Sequence, residues 1–284
     1  MVTSIRRIIL FILLAETGYV SAQNKQALFT NSLGVQAFTF RRSFAKDIAK
    51  TLDTIKIMGF TEIESTAHGM APEAFKNLCN NRGIKITSSE ATFDEFVRAP
   101  DSVAHVAKML GAKYVMCAWV PHNGAFTLDD AKKAVTVFDK AGKILADSGL
   151  VFCYHAHGYE FQPYEDGTLL DYIIKNTNPG TVSFEMDIFW ITFGGANPVA
   201  LMEKYGNRWK LIHLKDMKKG TVRNLTGGTS VDNDVALGTG EIDIPSILRE
   251  AKKIGIRHYF IEDESNFVNE HVPQSIAYLK NLKE

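Results

Sequence analysis

Four short stretches in the second half of the chain hold side chains that could do chemistry. Tyr154-His155-Ala156-His157-Gly158-Tyr159-Glu160-Phe161 supplies two imidazoles and a carboxylate, and Glu185-Met186-Asp187-Ile188-Phe189-Trp190 supplies two carboxylates and an indole. His213-Leu214-Lys215-Asp216 adds an imidazole, an ammonium and a carboxylate, and Glu262-Asp263-Glu264 adds three carboxylates. Oxygen and nitrogen donors in this mixture suit one divalent ion such as Mn, Mg, Co or Zn. A lone carboxylate of this kind is more often a helix cap or an ion-pair partner, so the reading depends on whether the four stretches meet.

The elements that would position them follow a repeated pattern. An amphipathic stretch ends at a glycine, and a short run rich in β-branched or aromatic residues follows. This occurs at Gly59 before Phe60–Glu64, Gly83 before Ile84–Ser88, Gly111 before Ala112–Cys117 and Gly149 before Leu150–Tyr154. It recurs at Gly180 before Thr181–Asp187, Gly206 before Trp209–Leu214 and Gly255 before Ile256–Ile261. A glycine closing a helix just before a strand is the junction of a βα repeat. With the opening run Leu33–Phe40 there are eight such strands. The intervening segments have helical spacing, as in Ile48, Leu52 and Ile55, or Leu128, Ala131, Val135 and Phe138. The fold class read from this is α/β, a closed (β/α)8 TIM barrel. An open doubly wound sheet fits less well, because Leu33–Phe40 runs into Arg41-Arg42-Ser43 and no glycine-rich phosphate fingerprint follows.

In such a barrel the chemistry sits at the C-terminal strand ends, where the four stretches lie, on strands five to eight. Strand alternation puts Glu185 with Asp187, His213 with Lys215, and Glu262 with Glu264, each pair on one face. One member can reach the centre while the other sits lower and supports it. The glycine-rich stretch from Met217 to Gly240 is expected as a loop over this face.

With 284 residues, 45% of them hydrophobic, the chain can bury a full core, which excludes disorder and disulfide-stapled scaffolds. Lys+Arg and Asp+Glu are 32 each, so no global basic field favours a nucleic-acid partner. Arg6-Arg7, the apolar run Ile8 to Ala15 and Val20-Ser21-Ala22 form a signal-peptide pattern over 1–22, with one barrel domain over 23–284. The mature protein is accordingly expected to be exported to the periplasm without a membrane span, since no later segment nears ~20 apolar residues. Cys79, Cys117 and Cys153 are expected as buried thiols rather than a disulfide framework.

The quoted stretches, together with Gly194-Gly195-Ala196-Asn197-Pro198, Leu237-Gly238-Thr239-Gly240-Glu241-Ile242-Asp243 and Ile261-Glu262, resemble the motifs of the xylose-isomerase-like sugar phosphate isomerase/epimerase family. The likeness is close in the second half and rests mainly on repeat architecture in the first. It implies a TIM barrel holding one divalent metal through Glu160, Asp187, His213 and Glu262. Many members place the first of these ligands at the strand end itself, where this chain has Tyr154 and His155, so His155 or His157 could stand nearer the metal or substrate.

A divalent ion gripping two adjacent sugar oxygens acidifies a carbon-bound proton and stabilises an enediolate. Carboxylates on either side can then move the proton, which makes a sugar isomerase or epimerase acting on a free or oxidised sugar the leading expectation. Glu160 and Glu262 are assigned double duty as ligands and acid/base groups. Lys215 is a candidate for oxygen polarisation or proton transfer, set against an ion pair with Asp216, Glu185 or Glu264. His155, His157, Glu185 and Trp190 are expected to contact the carbohydrate substrate. Trp119 at the end of strand four could stack on a sugar or pack the rim, and His68 and Glu90 could meet hydroxyls or be solvated loop residues. Three alternatives stand beside this reading. A lyase or hydrolase acting on an oxidised keto glycoside uses the same enolate, and a non-catalytic carbohydrate-binding protein would keep the pocket without turnover. An abasic-site endonuclease needs a zinc cluster and a basic track that this composition does not supply. A homodimer is left open.

Overall fold

A computed structural model describes residues 26–284. The signal-peptide expectation for 1–22 lies outside the described residues. Eight parallel strands close into a barrel: β1 (Leu33–Gln36), β2 (Glu62–Glu64), β3 (Lys85–Glu90), β4 (Tyr114–Cys117), β5 (Val151–His155), β6 (Val182–Asp187), β7 (Trp209–Leu214) and β8 (His258–Ile261). β1 pairs with both β2 and β8, which completes the closure. Every strand expected from the sequence is present, Trp209–Leu214 with the same bounds and the others with shifted ones. β1 is the largest difference, stopping at Gln36 because the Gln36 side chain accepts a hydrogen bond from Phe38 N and turns the chain into the 3-10 segment Ala37–Phe40. No helix among the described residues is long and apolar enough to cross a membrane.

The helices pack their apolar stripes against the outside of the barrel. In Ile48–Ile57, Leu52 and Ile55 are fully buried, and in Leu128–Asp147 the same holds for Ala131 and Phe138. Thr127 starts the latter helix as a capping box with Asp130, satisfying backbone N–H groups that have no partner within the helix. Gly111 and Gly255 end their helices in the left-handed conformation that the repeat pattern requires. Gly180 departs from this, because its turn is held instead by the Asn178 side chain accepting from Gly180 N.

Inside the barrel, Cys153, Leu211 and Phe260 form a small apolar cluster separate from the main core. All three cysteines are free and buried. Directly above that cluster the inward-facing positions turn polar: Gln36, Glu64, Ser88, His155, Glu185 and His213 are all buried. Period-two alternation makes this inevitable once the strand below is in register, since residues 153, 155 and 211, 213 share a face. The bottom of the barrel is closed by Glu62, which accepts from Thr87 Oγ1 at 2.7 Å and lies 2.8 Å from His258 Nδ1.

The loop after β7 returns over the open end. Asp216 and Met217 pair with Asp234 and Val235 in a short antiparallel ribbon. The buried Asp216 carboxylate then accepts from Met217 N at 2.8 Å, Gly238 N and Gly240 N at 2.9 Å each, and Ile242 N at 3.1 Å. One carboxylate therefore folds the whole Leu237–Ile242 segment. Asp216→Ala should leave four backbone donors unmatched and cost on the order of 3 kcal/mol. Urea unfolding and limited proteolysis should show lower stability and new cleavage between 217 and 243; unchanged values would refute this role.

Burial opposes ionisation of Glu62, but the hydrogen bonds from His258 and Thr87 outweigh it and hold its carboxyl below the usual value. A lowered folded-state value gives stability that is present above the ordinary carboxylate range and lost as pH falls through the folded value. Glu62→Gln should thus cost about 1–2 kcal/mol near pH 6, with the gap to the wild type closing below about pH 4 in urea unfolding. A gap that widens on acidification would contradict the sign.

Candidate metal-binding active site

Two buried imidazoles organise the centre of the open end, each presenting its nitrogens to different tiers. His213 Nε2 lies 2.7 Å from Glu64 Oε1 and 3.2 Å from Glu185 Oε1. Its Nδ1 lies 3.3 Å from Glu262 Oε2 and 3.7 Å from Asp187 Oδ2. His155 follows the same plan, with Nδ1 3.6 Å from Glu185 Oε2 and Nε2 3.6 Å from Asp187 Oδ2. Glu64 thus lies below His213 and orients its ring, while Glu185, whose two oxygens make no hydrogen bond, lies between the two rings and forms a group of metal-type donors with them. Asp187 Oδ2, His213 Nδ1 and Glu262 Oε2 form a group of metal-type donors in the tier above, with His155 Nε2 beside Asp187 at its edge.

Local backbone features aim these groups. The β2–β3 pairing shifts register between Ile63 and Glu64, and the β6–β7 pairing shifts between Phe184 and Glu185. Both irregularities fall immediately before the two carboxylates that hold His213 Nε2, where a bulge re-aims a side chain. Gln36 Nε2 donates to Glu64 Oε1 at 2.9 Å and steadies it. Asp187 is fixed from its other oxygen: Oδ1 caps the helix Ile188–Phe193, accepting from Phe189 N and Trp190 N at 2.8 and 2.9 Å. That leaves Oδ2 turned to the cluster without a hydrogen-bond partner.

The donor set fits a small divalent cation. His155 Nε2, Asp187 Oδ2 and His213 Nδ1 are buried without hydrogen bonds, a state that costs about 1–3 kcal/mol for each group unless something else satisfies it. The upper-tier separations of 3.3–3.7 Å are long for hydrogen bonds. They match donors that share a tetrahedral ion at about 2.0–2.2 Å, which stand roughly 3.3–3.6 Å apart. Glu64, Glu185, Asp187 and Glu262 also concentrate negative charge in one buried volume. Burial alone would keep His213 neutral, yet Glu185 and Glu64 raise it well above the ordinary histidine value. Burial and the neighbouring Glu64 push Glu185 up to about 8, and burial, opposed by nothing strong enough, drives His155 well below the usual range. Glu262 is held well below the carboxylate range because Lys215 and His213 outweigh its desolvation.

Above the tiers lies a cavity of about 330 Å³ whose walls include His157, Trp119, Trp190, Lys215 and the loop residues Gly227–Val231. Lys215 is fully buried, with Nζ 3.5 Å from Glu262 Oε2, 3.6 Å from Asp234 Oδ2, and bonded to Glu264. It also rests 5.3 Å from the ring centres of both Phe189 and Trp190. Despite burial these carboxylates keep it protonated, well above the ordinary lysine value. Of the three partners weighed for it from sequence, Glu264 is one; Asp216 is committed to the loop and Glu185 to the imidazoles. Trp190 is almost wholly enclosed, whereas Trp119 is an exposed rim residue stacked on His122.

The structure brings Asp187, His213 and Glu262 together and leaves Glu160 apart. Glu160 is fully buried, accepts from the Tyr154 hydroxyl and from His157 N at 3.1 Å, and belongs to neither cluster of metal-type donors. Tyr154 is on the opposite face of β5 from His155, so a group bonded to it is turned toward the helix layer. Gly158 permits this exit: its φ is +88°, and an added Cβ would meet the Trp190 carbonyl and Gly194. Burial pushes Glu160 up to about 7, outweighing the hydrogen bonds from Tyr154 and His157 N that lower it. His155 takes the position on the floor that Glu160 was expected to fill. Glu185, expected to touch substrate, is instead between the two imidazoles and is not part of the cavity wall. Sequence reasoning passed over Glu64 and Asp234. Glu64 ends a strand, which was a usable signal; Asp234 reaches Lys215 from the long loop, which no local pattern announces.

Asp187→Asn separates capping from ligation, because asparagine caps a helix about as well as aspartate. Metal content after loading with zinc or manganese should fall on the order of ten-fold or more, while thermal stability of the metal-free protein changes by about 1 kcal/mol or less. A fully loaded variant would remove Asp187 from the ligand set.

Residues 29–282 match the family described as xylose isomerase-like TIM barrel. An inosose dehydratase from Clostridium tetani is 30% identical over 99 residues, which is 34% of this chain and 32% of the relative. An inosose dehydratase from Bacillus cereus is 26% identical over 147 residues, 47% of each chain, so the matched stretches span a third to a half of these relatives. The crystal structure of a sugar phosphate isomerase/epimerase from Parabacteroides distasonis superposes with a TM-score of 0.74 at 25% identity, covering 94% of this chain and 98% of that one. An IOLI protein with a binding zinc atom superposes with a TM-score of 0.69 at 16% identity over 88% and 95% of the two chains, a likeness of fold. The closed eight-stranded barrel and the match along nearly its whole described length together establish that the chain belongs to the xylose isomerase-like TIM barrel family.

Proposed function

We propose that the protein is a divalent-metal lyase acting on an unphosphorylated keto sugar, removing the proton beside the carbonyl and expelling the oxygen substituent on the next carbon. The observation that carries this reading is the upper tier of His155, Asp187, His213 and Glu262 on the cavity floor, with the Lys215 ammonium beside it. The zinc of the structurally similar protein supports a metal at such a floor, and the relatives named inosose dehydratase support elimination. A divalent cation held there supplies positive charge to an enolate as it forms.

The remaining work falls to the chain. Lys215 Nζ, kept charged by Glu262, Asp234 and Glu264, donates to the carbonyl oxygen and favours its enolate form. Glu90 ends β3, across the barrel from β7, and faces the cavity from the side opposite Lys215. Its side chain is exposed to the cavity, yet desolvation by the groups packed around it, with the charges of Glu64 and Glu262, pushes it up to about 7, a value suited to proton transfer. Its carboxylate takes the α-proton, the C–H electrons become the C=C bond, the C–O bond breaks, and the same carboxyl returns the proton to the departing oxygen. With Glu160 facing away, the pair of opposed glutamates expected for epimerisation is not assembled. Lys215 is the one lysine or arginine on the described cavity wall, among Glu90, Asp234, Glu262 and Glu264, a lining that disfavours a phosphate. The isomerase/epimerase reading remains second, favoured by the name of the Parabacteroides distasonis structure.

Metal-loaded protein should exchange the α-proton of a keto sugar in D2O and release an unsaturated ketone; a product of unchanged composition would select the isomerase reading. Because Glu90 must be ionised to accept the proton, kcat/KM should rise as pH climbs through about 7. Glu90→Gln should flatten that limb and lower kcat/KM by roughly 10²–10⁴-fold with metal content intact. Full activity in this variant would exclude Glu90.

A further inference from the structure

A second cavity of about 320 Å³ adjoins the catalytic one and shares Gln36, Phe38 and Glu90 with it. Its own walls are Arg41, Phe44, Thr66 and His68. Phe38 stands between the two cavities and is 48% exposed, a costly state for a phenyl ring unless something covers it. The ring is not loose. Arg41 lies over it at 4.5 Å, and the Arg41 guanidinium is itself fixed by the carbonyls of Phe38 at 3.1 Å and Glu264 at 2.7 Å.

The far wall is strained. His68 has φ +49°, an unusual conformation for a residue other than glycine. It is held by stacking on Phe44, with centroids 4.0 Å apart and planes 9° from parallel, and by Ser65 Oγ at 2.9 Å from Nε2. Backbone strain of this kind costs on the order of 1–3 kcal/mol and persists where the surroundings over-determine it, often around a ligand. The cavity therefore combines two fixed aromatic walls with a hydroxyl, an imidazole and a carboxylate. That is the pattern of a pyranose, which has apolar C–H faces and a hydroxyl edge.

We propose that this adjoining cavity is the subsite for the second sugar ring of a two-ring substrate, so that the group expelled at Glu90 is a sugar and the protein acts on a keto glycoside. The proposal rests on the keto-sugar reading above and extends it. The departing oxygen lies at the junction where the two cavities share Glu90, with the keto ring over the metal-binding floor and the leaving ring against Phe38 and His68.

The test compares cellobiose carrying one ketone on its non-reducing ring with glucose oxidised at the same carbon. Wild-type metal-loaded protein should show a kcat/KM for α-proton exchange about ten-fold or more higher on the two-ring compound. Ala45 also lines the second cavity and is exposed, so Ala45→Trp fills it from the outside. The two-ring preference should collapse toward one in that variant. A wild type without preference, or a preference untouched in folded Ala45→Trp, overturns the subsite. Thr66→Trp replaces Ala45→Trp if the latter does not fold. Exchange on neither compound overturns the functional reading itself. In that event saturation-transfer NMR with unoxidised cellobiose still decides the subsite: contact to both rings supports it, and contact to one ring refutes it.

Discussion

Four carboxylates and two imidazoles share one buried volume at the top of the barrel, and their electrostatics constrain everything around them. Glu64, Glu185, Asp187 and Glu262 cannot all stay ionised there without positive charge among them. The protein supplies part of it. His213 is raised far above its usual range by Glu185 and Glu64, and Lys215 sits beside Glu262. Donors on the upper tier remain without hydrogen bonds, at spacings that suit a cation. The centre is thus an incomplete charge system whose completion by a metal agrees with its geometry.

The scaffold bears the cost of holding this arrangement. Below it the barrel interior is filled by the apolar side chains of Cys153, Leu211 and Phe260. Around it the strand ends are fixed by bonds that serve no chemistry. Asp187 is locked by capping a helix, Glu64 by Gln36, and the β5 exit by Glu160 with Tyr154. Asp216 gathers the loop that supplies Asp234 and the glycine-rich rim. Each device puts a second constraint on a group whose first constraint is the strand itself, which is how donors are kept within tenths of an ångström of a productive position.

The open end is asymmetric. Strands β5 to β8 carry the metal-type donors and Lys215, while β1 to β3 carry Phe38, His68 and Glu90. Most of the buried charge lies on the β5 to β8 side, and Glu90 stands where the two cavities join. In the proposed reaction such a division would separate activation of a carbonyl from accommodation of what leaves.

The sequence by itself determined the barrel and the ring of polar strand ends. Both are local properties: glycine-terminated helices, strands of period two, and polar residues at the positions where strands run out. Asp187, His213 and Glu262 were legible for this reason, since each stands within one residue of its strand's end on the inward face. Which residue of the β5 stretch joins them was decided by tertiary structure. Glu160 and His155 are separated by Gly158, whose positive φ turns the chain, and the Tyr154 hydroxyl on the outer face captures the Glu160 carboxylate. Asp234 and Glu64 likewise gained their roles through contacts to Lys215 and His213 that span the loop and the barrel. Sequence spacing fixes which face of its own strand a residue occupies. The partner it meets there depends on bulges, on loop closure and on the strand across the barrel, which are set when the chain closes.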